Sequence, residues 1–332
     1  MIVTGIESIA SPALWLITAG AVVALLVVDF IVTRRPHEVS MREAIGWSVF
    51  YVALPLAFTF YVWGAHGGDN GLDYLTGYLV EKSLSVDNLF VFMVLLAAFA
   101  VPPELQQRVL LYGIAGALVL RTVFIVIGAA AIAAFDEVFL LFGLLLVLTA
   151  AKLLRDARRG QAHQVDVARL RSVRLVRRFV PVTEQYEGPR MLGRIDGRRA
   201  ITPFAVVVVA VLATDVVFAV DSVPAVYGIT GDPYLVFVTN AFALLGLRAL
   251  YFVLHGAMDR LVYLDYGLAT ILGFIGVKLA LHWAHNVWTS VPEIPTLLSL
   301  AVIVGVLAVT VVASLLRDRA RRRERSTADV AV

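Results

Sequence analysis

Glu81-Lys-Ser-Leu-Ser-Val-Asp-Asn-Leu-Phe-Val-Phe92 sets two acids and a lysine inside an otherwise apolar stretch that runs from 73 to 100. A charge held at the centre of a bilayer costs about 2.5–3.5 kcal/mol even on a lenient insertion scale, so intramembrane charges mark function or tight pairing. A second stretch repeats the pattern. In Thr214-Asp-Val-Val-Phe-Ala-Val-Asp-Ser-Val-Pro-Ala225, Asp215 and Asp221 stand six residues apart with Val just before the second acid, as Glu81 and Asp87 do.

Outward from these two stretches, apolar segments recur near 12–32, 44–63, 73–100, 109–133, 137–154, 201–229, 234–254, 266–284 and 295–316. Each is close to the roughly 20 residues a helix needs to cross a bilayer. The chain of 332 residues is 60% hydrophobic with a mean hydropathy of +0.85, which leaves too little polar surface for a soluble domain of that size. The reading is all-α: a polytopic membrane protein of about nine transmembrane helices. The third and sixth segments are long and charged, where a broken or tilted helix is expected. The first segment lacks a basic leader and a small-residue cleavage site and is read as a retained span.

The basic residues sit in alternate loops. Arg34, Arg35 and Arg42 follow the first segment, Arg108 opens the fourth, and Arg158, Arg159, Arg171, Arg174, Arg177 and Arg178 crowd the 155–200 loop. Arg260 follows the seventh segment and the tail Arg317–Arg325 is basic, whereas the intervening loops carry no Lys or Arg. The positive-inside rule then gives a multi-pass inner (plasma) membrane protein with its N-terminus outside and C-terminus cytoplasmic. The formal charge of +3 reflects this topology, with the lipid bilayer as partner and no nucleic acid. Valines and a leucine among the arginines of 165–176 fit an amphipathic helix on the inner leaflet or a solvated linker. The same loop is a candidate surface for protein partners, and the sequence leaves room for a homo-oligomer.

The order acid, acid, arginine, lysine occurs twice: Glu81, Asp87, Arg121, Lys152 and then Asp215, Asp221, Arg248, Lys278. Leu118-Val-Leu-Arg121 matches Leu245-Gly-Leu-Arg248. Three spans per unit is an odd number, so the units would be inverted, as in many secondary transporters. The expected divisions are a two-span segment 1–72, a first three-helix repeat 73–154, the basic loop 155–200, a second repeat 201–284, and a last span with basic tail 285–332.

The candidate metal-path residues are Glu81, Asp87, Asn88, Asp215 and Asp221, supported by Lys82, Ser85, Arg121, Ser222, Asn240, Arg248 and Lys278. The basic residues would either hold the acids, for example Asp87 with Arg121 and Asp221 with Arg248, or exchange with the cargo. At 100° per residue, positions i and i+6 lie about 120° apart, so Glu81 and Asp87 share one cavity only if the helix unwinds or bulges. Ser83, Ser85 and Pro224 are compatible with such a break. Carboxylate, amide and hydroxyl oxygens are hard ligands suited to Mn²⁺, Ca²⁺ or Mg²⁺. Lys278 would mimic the cation and be displaced by it. His282 and His285, beside Trp283 and Trp288, read as an interfacial belt or an outer metal vestibule. His255 reads as interfacial, and Lys152 as a residue that snorkels to the cytoplasmic surface. With no cysteine, thiolate sites are excluded. No hydrolytic or nucleotide-binding motif appears, so the chain is not read as an enzyme and no permanently bound cofactor is expected.

The two acidic stretches resemble the signature segments of the TerC/Alx family of integral membrane proteins. Gly246-Leu-Arg-Ala-Leu-Tyr-Phe252, Tyr263-Leu-Asp-Tyr-Gly-Leu268, Phe274-Ile-Gly-Val-Lys278, Pro181-Val-Thr183 and Thr202-Pro203 add to the likeness. It covers roughly residues 43–284. The resemblance implies a multi-spanning helical fold, an association with tellurite resistance and manganese homeostasis, and Mn²⁺ export. Position by position, it implies that Glu81, Asp87, Asp215, Asp221 and Asn88 form the metal path. One departure stands out: many members have an acid where this chain has Leu212. Two functions follow. One is a divalent-cation exporter, for Mn²⁺ (or Ca²⁺) as the transported ion, with proton exchange at the acids. The other is a membrane scaffold or assembly factor linked to tellurite or metal stress without transport of its own. Direct handling of tellurium oxyanions fits poorly, because an oxyanion would favour arginines and helix N-termini over a midplane rich in acids.

Overall fold

A computed structural model describes residues 8–32, 40–159, 181–183, 185–186, 188–195, 198–254, 261–288 and 290–330. Among them the helices are α1 (Pro12–Val32), α2 (Met41–His66), α3 (Gly68–Ala98), α4 (Pro103–Ala134), α5 (Glu137–Arg158), α6 (Pro203–Tyr227), α7 (Pro233–Leu245), α8 (Leu247–Leu254), α9 (Leu264–Val287) and α10 (Thr296–Val330). Seven of these are long and apolar enough to span a membrane, or eight segments if α7 and α8, bent by 43° across Gly246, form one broken span. The remaining long helix is α3. Its 31 residues are ample, but Asp69, Asp73, Glu81, Lys82 and Asp87 make it too charged to qualify by composition.

Packing explains how a charged helix is tolerated. α3 contacts α2, α6, α7, α9 and α10, so other helices cover most of its surface. Every residue of α7 from Tyr234 to Leu245 is buried. The peripheral helices turn Leu16, Ile17, Phe60, Val119, Ile127, Leu148 and Val309 outward. An apolar exterior around a polar interior is what hydrocarbon solvent selects. In the interior, α3 packs on α7 and α4 on α6, while α3 meets α6, α4 meets α7, and α5 meets α9.

The expected breaks in the third and sixth segments are not there. α3 is continuous, and α6 carries Pro224 only near its end. The break falls at Gly246 instead, where an added Cβ would come within 2.9 Å of Lys82 Nζ and 3.0 Å of Tyr51 Cβ. Lys82 Nζ donates to the Ala243 carbonyl at 3.3 Å, satisfying one of the backbone acceptors that a helix end leaves open.

The fold is all-α, with one short strand pair in the segment before α6. Strands β1 (Leu192–Ile195) and β2 (Arg198–Ile201) form an antiparallel pair with Leu192 opposite Ile201 and Ile195 opposite Arg198. The pair is tied down by Thr183 N to Ile201 O at 2.9 Å and Ile201 N to Pro181 O at 3.0 Å. Tyr186 Oη donates to the Phe99 carbonyl at 2.8 Å, docking this segment on the end of α3. The amphipathic helix considered for 165–176, with the arginines there and at 34, 35, 177, 178 and 260 and His255, lies outside the described residues.

Gly143 of α5 and Gly276 of α9 bring two helix backbones together: a Cβ on Gly143 would sit 2.7 Å from the Gly276 carbonyl oxygen. Small residues let helix backbones approach where lipid gives no hydrophobic drive for association. Gly143→Ala should therefore destabilise by about 1–3 kcal/mol, the usual cost of overpacking. The check is the thermal unfolding midpoint in detergent, which should fall by several degrees. Gly305→Ala, in a helix with nothing within 4 Å, should not lower it.

Candidate cation site

Arg121 of α4 is wholly buried, and its guanidinium gathers three other helices. It donates to the Glu81 carboxylate of α3, to Asp215 of α6 through Nη2 at 3.2 Å and Nε at 3.5 Å, and to Asn240 Oδ1 of α7 at 3.1 Å. With its amide oxygen turned toward Arg121, Asn88 accepts a further 3.2 Å bond and donates to the Leu84 carbonyl at 3.1 Å. One fixed fork of donors thus faces two carboxylates and two amides. Asn240 is itself held by a 3.0 Å bond from Nδ2 to the Val236 carbonyl.

Three buried oxygens beside this cluster have no hydrogen-bond partner: Glu81 Oε2, Ser85 Oγ and Ser222 Oγ. Neighbouring hydroxyls behave differently. Ser83 and Thr214 bond back to the carbonyls four residues earlier at 2.6 and 2.8 Å. Glu81, Ser85 and Asn88 follow the i, i+4, i+7 spacing of one helix face, and Asp215 and Ser222 the i, i+7 spacing of another.

Asp87 and Asp221 are turned elsewhere. Both are half-buried and line a cavity of about 200 Å³ together with Asn88, Ser222, Thr149 and Lys152. They are near enough to interact electrostatically with each other, and Asp221 also with Arg121. The i, i+6 spacing decided this outcome. The helices stay regular, so the four acids divide into an arginine-bound pair, Glu81 and Asp215, and a cavity-facing pair, Asp87 and Asp221. Lys152 belongs to that cavity rather than only to the surface.

The pairings suggested for the arginines are both corrected. Arg121 takes Glu81 and Asp215 in place of Asp87. Arg248 takes Asp29 of α1 at 2.9 Å and Gln107 of α4 at 3.1 Å in place of Asp221. Asp29 was readable in the sequence as the one charge inside the first apolar segment. Gln107 carried no comparable signal. Lys278 stands apart from the central acids and lines a separate cavity with His282 and Glu293. His282 Nδ1 is 2.8 Å from Glu293 Oε1, His285 Nδ1 is 2.5 Å from the Val291 carbonyl oxygen, and Trp283 packs edge-on against Trp288. Among the described residues no three His, Asp or Glu side chains form a closed metal cage.

A family model described as "Integral membrane protein TerC family" matches residues 66–322. The chain belongs to the TerC family. It is 40% identical to an uncharacterized membrane protein of Myxococcus xanthus, covering 94% of this chain and 95% of that one. It is 42% identical to an uncharacterized membrane protein of Mycobacterium tuberculosis H37Rv, over 94% and 81%. It is also 37% identical to Alx of Escherichia coli K12, provisionally named a membrane-bound redox modulator, over 92% and 94%. No solved structure matches. In this TerC protein Leu212 packs on α4, where a Cβ on Gly116 would lie 2.3 Å from Leu212 Cδ2.

Removing Arg121 would leave Glu81 and Asp215 buried without a counter-charge, a change that costs about 3–5 kcal/mol. Arg121→Met should accordingly yield little monodisperse protein and a strongly lowered unfolding midpoint. Combining it with Glu81→Gln and Asp215→Asn should recover most of the loss, read by size-exclusion profile and thermal unfolding.

Proposed function

We propose that this TerC-family protein moves a divalent metal cation, Mn²⁺ foremost, across the inner membrane through the cavity lined by Asp87 and Asp221. The observation that carries this reading is the pairing of two half-buried carboxylates with the neutral oxygens of Asn88 and Ser222 in one cavity among the spanning helices. Ser222 Oγ on its wall has no hydrogen-bond partner, and neither do Glu81 Oε2 and Ser85 Oγ on α3. Hard oxygen donors with few charges suit a cation that is bound and then released. Carboxylates that carry protons when no metal is bound would couple export to proton entry. In this scheme Glu81, Asp215, Asn240 and Arg121 hold the midplane together, and the cargo competes with Arg121 for the free oxygen of Glu81.

The reading includes nine spans, with α3 and the α7–α8 pair each crossing once, N-terminus outside and C-terminus cytoplasmic. It also includes two inverted repeats, α3–α5 and α6–α9. Exchanging α3 with α6, α4 with α7 and α5 with α9 turns the contact of α3 with α7 into that of α4 with α6. It maps the contacts α3–α6, α4–α7 and α5–α9 onto themselves. That pattern supports a two-fold relation between the units, and Glu81 and Asp215 would then meet Arg121 near its axis.

Alx carries the name of a redox modulator. With no cysteine in this chain, any redox effect here would follow from the metal it moves rather than from thiol exchange.

Flux of Mn²⁺, Ca²⁺, Mg²⁺ and Zn²⁺ into proteoliposomes, compared for the wild type and Asp221→Asn, tests the proposal. Loss of one anionic ligand should reduce Mn²⁺ movement at least about tenfold at equal insertion. No flux of any of the four ions under an imposed gradient would overturn transport and favour a scaffold role.

A further inference from the structure

The bundle holds a second polar cavity, built from different side chains than the first. It encloses about 450 Å³ and is lined by Lys278 and His282 of α9, Glu293 of the following segment and Thr296 of α10, with Tyr227 and Phe139 as apolar walls. Asp73, in the second turn of α3, faces Lys278, Thr296 and Thr230. Lys278 interacts in turn with Asp73 and Glu293, and Asp69 lies near enough to Asp73 to add to the negative potential. The contact of His282 Nδ1 with Glu293 Oε1 at 2.8 Å closes one wall of the cavity across the loop between α9 and α10. Glu293 on the lining and Asp73 bordering it thus set two carboxylates around the one lysine.

This cavity has a counterpart. Lys278 and His282 are an i, i+4 pair on α9, and Lys152 and Asp156 are an i, i+4 pair on α5 that lines the cavity of Asp87 and Asp221. α5 and α9 are the helices that pack through Gly143 and Gly276. Each cavity thus sets a carboxylate of α3 near one lysine from this shared pair. The second one lies where α3 begins and α9 ends, at the end of the bundle away from the basic loops.

We propose that this second cavity is a separate station for a partly hydrated divalent cation, in which Asp73 and Glu293 supply carboxylates and Lys278 is the resident charge that the cation displaces. The inference rests on the transport reading and adds to it the place where cargo is held on the face opposite the basic loops. The donors are dispersed around 450 Å³ rather than drawn into a cage, so the ligand keeps much of its water, as small hard divalent cations do. An ammonium among these carboxylates holds the site together electrostatically when no metal is bound. It also lowers affinity, which a station on a transport path requires, since the ion must leave again.

Mn²⁺ titration of the full-length protein in nanodiscs, followed by loss of the free-ion paramagnetic resonance signal, tests the proposal with binding as its readout. The wild type should show two classes of site. Asp73→Asn should abolish one class, and Asp221→Asn should abolish the other. Lys278→Met should tighten the Asp73 class by at least about tenfold, because the competing charge is gone. Should Asp73→Asn fail to fold, Glu293→Gln at the exposed rim should weaken the same class severalfold. If Asp73→Asn and Lys278→Met titrate as the wild type while Asp221→Asn loses binding, the second station is wrong and the transport reading stands. If the wild type binds no Mn²⁺, both fall.

Discussion

The ion-pair cluster at Arg121 is the constraint around which the rest of the molecule is arranged. Two carboxylates and a guanidinium have been taken out of water into the interior of a bundle whose outside is hydrocarbon-like. Such a group is tolerable only if every charge is met by a partner and if other helices keep lipid away. Both conditions shape the fold. Four helices supply the partners, and the apolar peripheral helices form the shield. α3, the most charged helix, accordingly sits among neighbours although its composition alone would disqualify it from a membrane.

From that constraint follows the division of labour among the acids. A regular helix cannot aim residues six apart into one chamber, and α3 and α6 remain regular. Glu81 and Asp215 are therefore committed to Arg121, leaving Asp87 and Asp221 to face a cavity between the same helices. The arrangement separates an arginine-bound pair of acids from a cavity-facing pair. Glu81 Oε2, Ser85 Oγ and Ser222 Oγ, buried without a hydrogen-bond partner, belong to the same two helices, and Ser222 is on the cavity wall.

Much of this was legible in the sequence, for a physical reason: intramembrane charge is expensive enough that each instance points to something. Glu81, Asp87, Asp215, Asp221, Arg121 and Arg248 were found on that ground, and the same logic applied to the lone acid of the first segment leads to Asp29. Partner choice was not legible. An arginine side chain reaches across helices, so whether Arg248 meets Asp221 or Asp29 depends on packing that linear spacing does not encode. The break at Gly246 was missed because a lone glycine is a weak signal beside the charges and prolines of the third and sixth segments. The strand pair at 192–201 did leave a trace, since Asp196-Gly197 lies between its two strands, a dipeptide typical of two-residue hairpin turns.

The central claim is that Asp87 and Asp221 face a cation-accessible cavity while Glu81 and Asp215 are committed to Arg121. The absence of cysteine makes a direct measurement available: the rate at which a charged thiol reagent labels Thr149→Cys, on the wall of that cavity, with and without Mn²⁺. The account predicts that the site is reactive, that Mn²⁺ slows the reaction, and that the protection disappears when Asp87→Asn is added. A labelling rate indifferent to Mn²⁺ with both acids intact would contradict it.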